Sequence, residues 1–144
     1  MEIQTVGKVL VSAKIENSED LYDVEKGRLT ADKVRTVQVD DALVDTGATL
    51  VSLPKALIER LGLRRLRTRT AQTPAGVLAF GIYGPVQLTV QDRDCLVEAA
   101  ELPDGCPVLI GQVPLELLDF VVDPIGQRLI GNPAHGGKHM FDLL

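Results

Sequence analysis

The chain has 144 residues, 45% of them apolar and 24% charged, which fits one domain spanning residues 1–144 and able to bury about two-thirds of its unfolded surface. A net charge of −5 argues against a nucleic-acid partner. No apolar run approaches the ~18 residues needed to span a bilayer, and Met1-Glu2-Ile3-Gln4-Thr5 lacks the basic region and apolar core of a secretory signal, so no membrane partner and a cytoplasmic location are expected.

Residues 8–15 alternate, with Val9, Val11, Ala13 and Ile15 on one face and Lys8, Ser12 and Lys14 on the other, as a half-buried strand does. Residues 17–34 are polar and acidic and read as a surface insertion carrying one or two short helical turns, with Ser18 and Thr30 as candidate N-caps. Residues 35–40 alternate again, with Val37 and Val39 inward, and Asp40-Asp41 reads as a turn. Next comes Ala42-Leu43-Val44, a short strand expected to be buried on both faces, which runs into Asp45-Thr46-Gly47-Ala48-Thr49. An ionised carboxylate at the end of such a strand is costly unless neighbours supply hydrogen bonds or share a proton. Thr46 offers a hydroxyl, and Gly47 permits a tight turn that brings backbone N–H groups towards the acid.

Val51-Ser52-Leu53 continues extended, and Pro54 suits the first turn of a helix through Leu57, Ile58 and Leu61 that ends at Gly62. Arg64, Arg65, Arg67 and Arg69 lack the interleaved aromatics of a nucleic-acid surface and fit a strand with solvated outward side chains. Residues 67–90 read as a long hairpin bending at Thr73-Pro74-Ala75-Gly76, with proline and glycine where a type I turn prefers them. Its returning arm holds Val77, Ala79, Val86, Leu88 and Val90, interrupted at Gly81 and Gly84. A strand over residues 95–102, a turn at Pro103-Asp104-Gly105, and Val108-Leu109-Ile110-Gly111 follow. Leu115-Glu116-Leu117-Leu118 then reads as a short helix, and Phe120-Val121-Val122 and Arg128-Leu129-Ile130 as strands flanking a turn at Asp123-Pro124-Ile125-Gly126. The tail, about residues 133–144, holds the histidines His135 and His139, but Gly136-Gly137 between them makes a poor helix, and no metal site is expected. Cys95 and Cys106 are expected as buried thiols rather than a disulfide.

Asp45-Thr46-Gly47-Ala48 fills all four positions of D-[TS]-G-[AS], the active-site motif of the aspartic proteases. Val108-Leu109-Ile110-Gly111 with the helix after it resembles that family's apolar-apolar-Gly motif, whose helix crosses behind the catalytic loop. Over about residues 35–132 the chain resembles the retropepsin-like (retroviral-type) aspartic proteases, and more the small stand-alone prokaryotic members than a viral polyprotein segment. The resemblance implies an all-β acid-protease half-barrel with one or two short helices, completed by homodimerisation, acting without a cofactor as an aspartic endopeptidase on a protein or peptide substrate. Asp45 would be catalytic, with Thr46, Gly47 and Ala48 forming the active-site loop and dimer brace. Thr73, Pro74, Ala75 and Gly76 would be the tip of a substrate-covering flap, and Ile110 and Gly111 would lie behind the catalytic loop.

Each chain has one such acid, because Asp104-Gly105 and Asp123-Pro124 lack the intervening hydroxyl residue. A second Asp45 from an identical chain would complete the pair. Two carboxylates ~3 Å apart at an effective dielectric of ~20 repel by roughly 5 kcal/mol, so the pair would share one proton and supply both an acid and a base. Two departures from the family stand out. Thr49 and Gln112 occupy positions where retroviral enzymes carry an acid and an arginine that pair with one another. The hairpin is poorer in glycine than the family's flaps, so a plain surface hairpin remains open, as does a dimeric peptide-binding or scaffolding module without turnover. The tail Met140-Phe141-Asp142-Leu143-Leu144 would either pair across a dimer axis or fold back on its own core.

Overall fold

The computed structural model describes residues 8–143; the opening residues 1–5 discussed above and the last residue of the tail, Leu144, lie outside them. The first alternating stretch forms β1 (Leu10–Asn17), with Val11, Ala13 and Ile15 buried. It pairs antiparallel with β2 (Thr36–Val44). Asp40 and Asp41 do not make the expected turn. Val11 faces Ala42 and Ala13 faces Val39, so both acids oppose Ser12 in a bulge and the strand runs on. The bulge absorbs the extra polar residue while keeping Val37 and Ala42 in the core.

The insertion between these strands forms α1 (Ser18–Glu25) and a single 3-10 turn over Ala31–Lys33. The N-cap is Asn17, one residue before the expected Ser18, and its side chain accepts from the N–H groups of Glu19 and Asp20 at 2.9 and 3.1 Å. Ser18 instead donates its hydroxyl to Pro85 O at 2.7 Å. Thr30 precedes the 3-10 turn without a side-chain cap bond. The insertion is also rooted more deeply than a surface excursion. Asn17 Nδ2 donates to Leu61 O at 2.9 Å, and the buried Asp20 accepts two guanidinium bonds from Arg35, at 2.8 and 2.9 Å, plus the Arg35 N–H at 3.0 Å. Those bonds hold the Asp20 carboxyl below the usual carboxylate range.

β3 (Val51–Pro54) leads into α2 (Lys55–Arg60), where Pro54 is the N-cap and Asp104 accepts the Ala56 N–H at 2.9 Å. Gly62 follows in the left-handed region at φ +60°, and a Cβ there would lie 1.9 Å from Arg35 Nη1. β4 (Arg65–Thr73) and β5 (Gly76–Val90) form the expected hairpin, with Arg65, Arg67 and Arg69 exposed. β6 (Arg93–Leu102), β7 (Leu109–Ile110) and α3 (Gln112–Leu118) come next, and β8 (Phe120–Asp123) and β9 (Arg128–Gly131) pair as a separate small sheet.

The main sheet runs β1-β2-β7-β3-β6-β5-β4, and β1 also pairs with β5, so six strands close into a ring from which β4 and the first half of β5 project. Ile15, Leu53, Leu61, Leu88, Ile110 and Leu118 fill the interior, each worth roughly 2 kcal/mol relative to exposure. The protein is thus mostly β, consistent with a retropepsin-like fold, with three short helices rather than the expected one or two because the insertion builds α1 in addition to α2 and α3. Among the described residues no helix is long and apolar enough to cross a membrane.

Candidate active site

β7 lies between the strand that enters the Asp45 loop and the strand that leaves it. It pairs parallel with β2 (Leu43 with Leu109, Val44 with Ile110) and antiparallel with β3 (Val51 with Ile110). The Asp45 N–H continues the ladder to Ile110 O at 2.9 Å. Three carbonyls of the outgoing loop are then taken up by the chain entering α3: Gln112 N–H donates to Ala48 O (2.8 Å), Val113 N–H to Thr49 O (2.9 Å) and Gly111 N–H to Leu50 O (3.0 Å). This close approach requires glycine, since a Cβ at Gly111 would lie 2.4 Å from Leu50 O and 2.6 Å from Ala48 O. Ile110 and Gly111 therefore sit directly behind the loop. Thr49 and Gln112 meet it through backbone bonds, while the Gln112 side chain turns to Glu116 at 3.2 Å.

Asp45 is half-buried, and its Oδ1 accepts the Gly47 N–H at 2.9 Å while its carbonyl accepts the Ala48 N–H at 3.0 Å. Among the described residues its other carboxylate oxygen takes no hydrogen bond. The surroundings are more open than the expected strand buried on both faces. Leu43 and Val44 are half-buried and Thr46 and Gly47 are exposed, because β7 is short and covers only the ladder edge at this end of β2.

Gly47, Ala48, Leu50, Ala71, Phe80 and Ala100 line a cavity of about 240 Å³ beside the loop. The arms of the β4–β5 hairpin reach it through Ala71 and Phe80. The tip does not: Thr73 pairs with Gly76 across a two-residue connection, Pro74 and Ala75 are exposed, and Thr73 Oγ1 donates to Gly76 O at 2.7 Å. Beyond the tip, Val77 and Leu78 are 70% and 54% exposed. No motif marks Ala71, Phe80 or Ala100. The available signal for Phe80 was parity, since Ile82, Gly84, Val86, Leu88 and Val90 all face inward at even positions and Phe80 extends that series.

The tail folds back on its own chain. His135 Nδ1 lies 2.6 Å from Asp119 Oδ2, Met140 N–H donates to the same oxygen at 3.1 Å, and His139 Nε2 donates to Leu117 O at 2.9 Å. The two histidines thus serve different partners at the C-terminal end of α3. Cys95 and Cys106 are free and half-buried, and burial pushes the Cys95 thiol up to about 11, which leaves it a poor nucleophile.

A family model described as gag-polyprotein putative aspartyl protease matches residues 24–116. The matched span holds the Asp45 loop, the hairpin, β7 and Gly111, and it leaves β1, β8, β9 and the tail outside. Comparison with curated proteins found no match.

Proposed function

The chain belongs to the gag-polyprotein aspartyl protease family, and from that premise we propose that it is an aspartic endopeptidase whose catalytic pair is one Asp45 from each of two identical chains. The observation that carries this reading is the incompleteness of the Asp45 loop. Its carboxylate is held at one oxygen by Gly47, the loop residues Gly47 and Ala48 that follow it line a cavity, and Thr46 and Gly47 are exposed where a second copy could cover them. At the two-fold axis the carboxylates share one proton. The ionised Asp45 takes a proton from a water whose oxygen attacks the carbonyl carbon of the peptide. The protonated Asp45 gives its proton to the carbonyl oxygen, and the tetrahedral intermediate then breaks its C–N bond with proton transfer to the leaving nitrogen. Thr46 braces the two loops, and the hairpin arms carrying Ala71 and Phe80 wall the cleft that receives an extended peptide.

Cleavage of a peptide library by the purified protein tests the assignment, with Asp45→Asn as control. The variant should be inactive with fold and dimer retained, whereas residual cleavage within about tenfold of wild type overturns the catalytic role. Activity per chain should rise with protein concentration until dimer predominates. A fully active species of monomer mass overturns the shared pair. Binding of the library without cleavage would favour the peptide-binding module, for which the exposed apolar Val77 and Leu78 beyond the hairpin tip provide a surface.

A further inference from the structure

The C-terminal end of α3 carries a second cluster that the proposed chemistry does not use. Asp119 ends the helix at φ +58° and is 7% exposed. Its Oδ1 accepts from Asn132 Nδ2 at 3.2 Å, and its Oδ2 faces both Met140 N–H and His135 Nδ1. The opposite ring nitrogen, His135 Nε2, lies 3.1 Å from Asp142 Oδ1. The imidazole, with its side chain only 11% exposed, is therefore clamped between two carboxylates, while the Asp142 side chain is 83% exposed.

That geometry constrains the protonation state. A neutral imidazole has one N–H and one lone pair and can donate to only one of the two acids. Only the imidazolium donates to both. Without its second proton, a ring lone pair would face a carboxylate oxygen at the Asp142 side, and that contact would turn from attraction to repulsion.

We propose that residues 138–143 form an acid-closed strap over the end of α3, fastened by doubly protonated His135 between Asp119 and Asp142 and loosened from the Asp142 end when that proton leaves. The other charged groups at this junction do not gate it. Arg93 of β6 donates to Leu118 O (2.9 Å), Asp119 O (2.8 Å) and Gly137 O (2.6 Å), and its permanent charge anchors the chain as far as residue 137 at any pH. Glu116 of α3 borders the same groove, and His139 bonds a backbone carbonyl. The two acids also hold the His135 pKa above the ordinary histidine range, Asp119 contributing most. The clamp is thus complete below about pH 6.5 and fails as pH rises through the raised value. Met140, Phe141 and Leu143 form one wall of a groove of about 570 Å³ whose other side holds Leu117, Phe120 and Val121, so release would take that wall away and leave those three residues more open to solvent.

The strap is independent of catalysis, so its test needs no substrate. Amide hydrogen exchange at Met140, corrected for the intrinsic pH dependence of exchange, should show protection falling on the order of tenfold between about pH 5.5 and about pH 8.5, with a midpoint matching the His135 ring titration seen by NMR. Asp142→Asn replaces the facing carboxylate oxygen with a group able to donate to the neutral ring, so it should abolish the pH dependence. Its exposed position keeps this variant safe for folding. His135→Gln should leave Met140 weakly protected at every pH. Constant protection in the wild type, or an unchanged fall in Asp142→Asn, overturns the proposal.

Discussion

Asp45 and Asp119 lie near opposite ends of α3, and what surrounds each carboxylate separates chemistry from structure. Asp119 receives Asn132, Met140 and His135, and these bonds, led by His135, hold its carboxyl down to about 2. Among the described residues, the Asp45 carboxylate receives only the Gly47 N–H, and the loop that follows it lines a cavity through Gly47 and Ala48. A carboxylate whose two oxygens are both engaged stabilises a fold and is poorly placed to exchange protons with a ligand. One left with free acceptor capacity at a rigid strand end is available for reaction, provided something else completes its surroundings. The helix between them serves both: its first N–H groups hold the Asp45 loop, and the Leu117 carbonyl in its last turn binds His139 of the tail.

Substitutions at the two sites should separate along this line. The largest effect is expected at Asp45, where Asn should abolish peptide cleavage while leaving the thermal midpoint close to wild type, by calorimetry on the same preparation. Asp119→Asn should do the reverse, lowering the thermal midpoint while cleavage per folded chain stays within about twofold. Its effect should also depend on acidity. A carboxyl held near 2 contributes stability present above its unfolded value of about 3.9 and lost as pH falls through about 2. The difference in urea midpoint between wild type and Asp119→Asn should therefore be largest between about pH 5 and about pH 6.5, shrink towards pH 2, and shrink again as His135 loses its proton at higher pH; a gap that widens from pH 5 towards pH 2 would contradict the hydrogen-bonded carboxylate.

Gly111 joins the two regions and tests whether the Asp45 loop depends on helix packing. The added methyl of Gly111→Ala would collide with two backbone oxygens that cannot rotate away, so a loss of about 3 kcal/mol in urea denaturation is expected, together with loss of activity. The smallest effect is expected from Ala48→Ser, which supplies a hydroxyl able to bond the Asp45 carboxylate and favours its charged form. The cleavage optimum should move to more acid pH with little change in stability, and a pH–rate profile that stays put or moves alkaline would contradict it.

The parts that were legible in the sequence depend on short-range pattern. Asp45-Thr46-Gly47-Ala48 and Ile110-Gly111 were readable because each motif is contiguous and the backbone geometry between them needs glycine at Gly111. The strands were readable from alternation. Asp40-Asp41 misread as a turn because a bulge and a turn draw on the same residues, and only the partner strand distinguishes them. The Asp119 cluster was hidden for a different reason. Its partners lie 13 to 21 residues away and meet only because Gly136 and Gly137, at φ +64° and +76°, turn the tail back. The cleft walls Ala71 and Ala100 are small residues whose significance lies in the space they leave, which no local pattern encodes.

β5 is one unbroken strand of 15 residues, half of it stapled into the closed ring and half carried outward with β4 as the hairpin. Mechanically that makes the hairpin a cantilever rather than a lid on a hinge. A swing of its tip has to be taken up at its root as bending and torsion where the register with β6 slips, between Tyr83 and Val86 and around Gly84 at φ +112°. The stiffness of that root would then set how readily Ala71 and Phe80 move over the cavity beside the Asp45 loop. Val86, fully buried and far from the Asp45 loop in sequence, stands at the edge of that slip and is part of the root through which any such bending passes.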